Sequence, residues 1–261
     1  MIRTLVILAL VVALPVFANH VPIPPEEVIE GVGRTQVTLN LGAFDPLLEV
    51  QARLEDAGHE LRYRSLTAGG YYRLHKNLKA GAFYRLQWGA RHDDDWVEPT
   101  PTWWSWQDTR DRLEQVLIFD LSPRFQLDFL PGKDWVLMLK SRYLFNAWNR
   151  QHSLLFRPEL TYFLLVDRRP LLNFSLAYGL YFPLNFGESL LYEHEPYLAV
   201  LYHLSPGVQL ELSGACKTVN WSTSREVIVA GDSHYQVSYR AWVIGAGVLF
   251  NLAAPVRRTS R

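Results

Sequence analysis

The run LIFDLSPRFQLDF, residues 117–129, decides how this chain is read. Its odd positions are Leu117, Phe119, Leu121, Pro123, Phe125, Leu127 and Phe129, and its even positions include Asp120, Ser122, Arg124, Gln126 and Asp128. A period of two is the pattern of a β-strand, whose side chains point alternately to opposite faces. A turn signal follows at Pro131-Gly132-Lys133-Asp134. Beyond it Trp135, Leu137, Leu139, Tyr143 and Phe145 share one face, with Lys140, Arg142 and Asn146 on the other. The next pass repeats the scheme, with Leu154, Phe156, Leu160, Tyr162 and Leu164 alternating with Arg157, Glu159 and Thr161. After Asp167-Arg168-Arg169-Pro170 the series Leu172, Phe174, Leu176, Tyr178, Leu180 and Phe182 alternates with Asn173, Ser175, Ala177 and Gly179.

An ordinary strand needs about 5–6 residues, whereas these runs are roughly two to three times that length, close to the ~9–11 tilted residues that cross a bilayer and then emerge from it. One face is charged and the other aliphatic and aromatic. An apolar band outside and a polar lumen inside make a transmembrane β-barrel, so the fold expected is all-β, an antiparallel up-and-down barrel. In this the chain resembles the outer-membrane barrel proteins of Gram-negative bacteria, a porin-like class.

Outward from this stretch the remaining strands are predicted over 35–43, 61–74, 78–91, 195–204, 208–221 and 234–252. The segment 45–58 decides the count. Asp45-Pro46 reads as a helix N-cap followed by proline at the first helical position, with Gly58 as a stop. Yet Leu48, Val50, Ala52 and Leu54 also alternate with Glu49, Gln51 and Arg53. Taken as a loop or short helix it leaves ten strands; taken as a strand over 47–54 it points to twelve. The connections support the barrel independently: 76–77, 131–134, 167–170 and 205–207 are short, while those between them are mostly longer, as in barrels with short periplasmic turns and longer external loops. Ten strands from a periplasmic start return the carboxy end to the periplasm.

The chain opens with a positive residue, Arg3, and an apolar run over 5–17 that ends in small or aliphatic residues at Val16 and Ala18. This fits a secretory signal peptide over residues 1–18, followed by a periplasmic lead-in over 19–33, a barrel over 34–252 and a periplasmic tail over 253–261. The cell outer membrane is the expected location. Lys plus Arg equals Asp plus Glu at 26 each, so net charge gives no case for a nucleic-acid partner. Outer-membrane lipid, lipopolysaccharide and the barrel-assembly machinery are the partners the fold implies. Aromatic residues at 13% suit girdles at two lipid–water boundaries, and Trp103-Trp104-Ser105-Trp106 reads as part of such a girdle or as a loop clasp. A single cysteine, Cys216, makes no internal disulfide, and neither metal-ligand spacing nor a phosphate-cradling glycine loop is present, so no cofactor is expected.

The alternation assigns to the lumen Lys79, Arg85, Glu114, Asp120, Arg124, Asp128, Lys140, Arg142, Arg157, Glu159, Glu211, Lys217 and Arg240. Mixed signs of this kind either pair and fill a narrow interior or line a path for small polar solutes. In the loops, His92-Asp93-Asp94-Asp95-Trp96 and Asp232-Ser233-His234 resemble segments of the omptins, ten-stranded outer-membrane proteases with an outward-facing site. That resemblance would make Asp93 and Asp95 an aspartate pair and Asp232 with His234 a dyad that activates water. The second segment falls in the fifth external loop here and in the fourth in omptins.

Overall fold

The computed structural model describes residues 27–55, 60–89, 96–100, 103–106, 112–131, 134–185, 190–222 and 236–253. Among the described residues thirteen strands follow in chain order: β1 (Glu27–Asn40), β2 (Phe44–Glu55), β3 (Glu60–His75), β4 (Leu78–Trp88), β5 (Trp96–Thr100), β6 (Trp103–Trp106), β7 (Leu113–Gln126), β8 (Trp135–Asn146), β9 (Gln151–Val166), β10 (Arg169–Pro183), β11 (Glu193–Ser205), β12 (Val208–Ser222) and β13 (Gln236–Ala253). All but β5 and β6 form one closed barrel; those two pair with each other in the connection between β4 and β7. The barrel therefore has eleven strands, not the ten or twelve expected.

The extra strand is β2. The N-cap reading of Asp45 fails because its carboxylate is engaged across the sheet, 2.6 Å from Lys79 Nζ, while Leu48, Val50 and Leu54 project outward. Pro46 lies past Leu47, the last β2 residue paired with β1, where a missing N–H is tolerated. The strand β1 also takes in residues 27–33 of the segment read as a lead-in. Ten strands plus one makes eleven, and an odd ring cannot alternate direction throughout. One neighbouring pair must run parallel, and it is β1 with β13, in register from Glu27↔Arg240 to Asn40↔Ala253. Consequently β1 starts at the end of the barrel that carries the longer connections, and β13 finishes at the end with the short turns. That corrects the expectation that both ends of the barrel chain lie on the short-turn side.

A strand of 14 residues such as β7, tilted as in a closed barrel, spans about 35 Å along the axis. The alternation along it is complete. Glu114, Val116, Ile118, Asp120 and Ser122 are buried, while Leu117, Phe119 and Leu121 are exposed. The other strands repeat this, so the outer wall carries Leu66, Tyr84, Leu176, Leu198, Leu212 and Ile244, several more than half exposed. Aromatic pairs stand near both rims: Tyr143 and Phe145 against His152 and Tyr178 against His194 at one end, Trp135 against Tyr162 at the other. The side chains of β6 lie outside the described residues, and with them the girdle or clasp expected of its tryptophans.

Gly69 lies where β3 packs directly against the backbone of β4. A Cβ there would lie 2.2 Å from the Ala82 carbonyl oxygen and 2.6 Å from Phe83 Cα, both backbone atoms that cannot swing aside. Gly69→Ala is expected to lower unfolding stability by about 1–3 kcal/mol, the usual cost of overpacking. Denaturant unfolding of the refolded barrel, followed by heat-modifiable gel migration, checks this; unchanged stability would mean the strands can separate at no cost.

Candidate functional site

The lumen gathers the chemistry-bearing residues because every inward position is set by the strand period. Even residues of β1, β7 and β8 and odd residues of the other barrel strands point inward, as the register requires. Asp120 on β7 is the centre. Its side chain has no exposed surface, and it accepts hydrogen bonds from Arg142 Nε at 2.7 Å and Nη2 at 2.9 Å on β8 and from Tyr71 Oη at 2.9 Å on β3; Lys140 Nζ lies 3.5 Å away. One carboxylate thus organises three strands.

A second buried cluster lies beside the parallel seam. Glu30 on β1 accepts from Lys217 Nζ on β12 at 3.0 Å and faces Arg53 of β2 at 2.9 Å. Glu30 and Lys217 are buried, and Lys217 Nζ lies 5.5 Å from the ring centroid of Tyr239, which belongs to a buried cluster with Val28, Tyr192, Val219 and Ala241. Nearer the short-turn end, Arg34 pairs with Glu211 and lies 3.7 Å from Glu49. Towards the long-connection end Glu114 accepts from Gln87 and from Asn146, each at 2.9 Å. Glu159 accepts from Ser175 at 3.2 Å and Thr161 at 3.3 Å. Arg85 donates from Nε to the Thr67 hydroxyl, and the Arg157 guanidinium lies over the Tyr197 ring at 4.0 Å.

Between these groups the interior holds a cavity of about 220 Å³ towards the long-connection end and one of about 320 Å³ below it. Gln51, Arg53, Arg85, Arg142, Arg157, Glu193 and Glu195 line both, so they form a collar where the two meet. Polar cavities of this size hold water.

Of the residues assigned to the lumen from sequence, Lys79, Arg85, Glu114, Asp120, Lys140, Arg142, Arg157, Glu159, Glu211 and Lys217 face it. Three do not line it. Arg124 has the inward parity but lies exposed at the short-turn mouth, and Asp128 lies in the turn beyond the end of β7. Arg240 points outward, half exposed, and sits 3.5 Å from Glu27 on the outer wall. Its assignment failed because the inward residues that follow it on β13, Ala241, Val243 and Gly245, are small and apolar, so polarity could not tell the two faces apart there. Asp93, Asp95, Asp232 and His234 lie outside the described residues. The sequence reading missed Glu30, Arg34, Glu49 and Arg53, which the alternation in 28–36 and 47–54 could have identified once both were taken as strands. It also missed Tyr71, Glu193 and Glu195. No protein-family model matches the chain, and no curated protein matches it.

Removing the charge of Asp120 would leave Arg142 and Lys140 facing each other inside the wall. Asp120→Asn is expected to destabilise the barrel by about 3–5 kcal/mol, the range for breaking a buried ion pair from one side. Urea unfolding measures it, and a loss under about 1 kcal/mol would mean that lumen water already screens the pair.

Proposed function

We propose that this protein is a transmembrane barrel of a Gram-negative outer membrane, acting as a narrow channel for small polar solutes. The carrying observation is the inversion of the fold. Buried positions include Glu30, Asp45, Glu114, Asp120, Glu211 and Lys217, while Phe119, Leu176, Leu198, Leu212 and Ile244 are exposed on the outer wall. In water that wall would be a contiguous apolar surface far beyond what soluble monomers carry. In a bilayer it is solvated by acyl chains, and closure of the sheet leaves no unpaired strand edge in the hydrocarbon. Lipid and lipopolysaccharide would contact the wall, and the barrel-assembly machinery would insert it.

The eleven strands depart from the even counts of bacterial single-chain barrels, and the parallel seam is how an odd wall closes. A barrel of this size encloses little space, and the ion pairs occupy much of it. Two polar cavities meeting at a charged collar favour passage of water-sized and slightly larger solutes and argue against a wide general pore. Refolded full-length protein in a planar bilayer is expected to give discrete, small conductance steps of reproducible size. A silent bilayer, from protein whose heat-modifiable migration reports a folded barrel, would overturn the channel and leave a structural barrel.

A further inference from the structure

We infer that the lumen contains a binding site for a small oxyanion, centred on Arg157 and Lys140 with Arg85 contributing, so that the path selects for anions. This assignment rests on the reading of the lumen as a solute path. Lys140 and Arg157 are direct cross-strand partners on the inward face of β8 and β9. Two like charges in that position repel, and such a pair is destabilising unless an opposite charge lies between or beside them. Arg142, the next inward residue of β8, adds a third cation.

The nearest acid is already committed. Both oxygens of Asp120 accept from Arg142, and Oδ2 also accepts from Tyr71 and faces Lys140. Glu159, the next inward residue of β9, is held by Ser175 and Thr161. Arg157 is left with an aromatic ring in place of a carboxylate, and its Nε is buried with no hydrogen-bond partner. Arg85 has the neutral Thr67 hydroxyl. Both arginines line both cavities, with Glu193 and Glu195 facing them from β11. Seven basic side chains against four acidic ones line the larger cavity, whose volume of about 320 Å³ accommodates a hydrated oxyanion. Asp120 and Glu30 lie behind that lining, already engaged.

Guanidinium groups offer planar, forked donors that match the oxygens of phosphate, sulfate or a carboxylate. A ring of Arg and Lys side chains is a usual device for passing anions through a pore. Rigid strands hold these side chains in place, so the donors are set before the anion arrives.

The test uses the refolded full-length protein, wild type, Arg157→Gln and Arg85→Gln, with inorganic phosphate as the probe at constant ionic strength. Phosphate is expected to raise the thermal unfolding midpoint of the wild type, and each variant to need about fivefold more phosphate for the same rise, the effect of one unit charge at about 4 Å through water. In planar bilayers the wild type should pass chloride in preference to potassium. Phosphate should reduce that current, and Arg157→Gln should lower the chloride-to-potassium permeability ratio about fivefold. A phosphate response equal in wild type and both variants is a general excluded-salt effect and overturns the site, even if the barrel conducts. Silence in the bilayer with the variant-sensitive phosphate response intact overturns the channel and leaves the site standing. Should Arg157→Gln fail to fold, Arg85→Gln carries the comparison, because a glutamine there can still donate to Thr67.

Discussion

An antiparallel ring closes only with an even number of strands, and this ring has eleven. Everything else in the wall depends on the one parallel contact between β1 and β13 that the odd count forces. Parallel ladders are slightly weaker per residue than antiparallel ones, so the seam is where a closed wall would open first. The chain answers with length and with charge. The seam runs the whole of β1, from Glu27 to Asn40, and Glu30 reaches across it to Lys217 on β12 while facing Arg53 on β2. A buried carboxylate bridging the strands on either side of the weakest ladder makes opening cost the exposure of three charges as well as the ladder itself. Arg34 adds a second bridge from β1, to Glu211 on β12.

The same economy governs the interior. A polar lumen cannot be held by apolar packing, since the two clusters of buried hydrophobics among the described residues are small. Hydrogen-bonded ion pairs take that role, and each must be satisfied, because an unpaired buried charge costs several kcal/mol, of order 3–5. Asp120, with Arg142, Lys140 and Tyr71 around it, is the fullest example. Where pairing is complete the lumen is a strut, and where it is incomplete, as at Arg157, the surplus donor faces the two cavities.

Much of this was legible in the sequence. The run 117–129 alone fixes the strand period, the inward face and the apolar wall, and that period places Asp120 inward. What failed did so for identifiable reasons. Asp45-Pro46 carries true helix-start signals, but those are worth only about 1 kcal/mol, and a ladder with two neighbours plus the Lys79 pair outweighs them. Arg240 was misplaced because small residues on the inward side of β13 erase the polarity contrast. Register, not composition, decides that strand, since Ala241 lies opposite Lys217. The closure itself was out of reach, because the direction of the last pair depends on whether the strand count is odd or even. One misread strand changes that answer.

That dependence on parity ties the seam to the lumen. Without β2 the ring would be even, but Glu49, Gln51 and Arg53 would leave the interior, and with them the second partner of Glu30 and a part of the collar between the cavities. The strand that makes the closure awkward also supplies residues that fill the widened ring. An eleventh strand enlarges the circumference, and long charged side chains from β1 and β2 occupy the added space more fully than small ones would. The seam and the narrow lumen are therefore two results of one feature, the charged and alternating segment 47–54, and neither arises in this wall without the other.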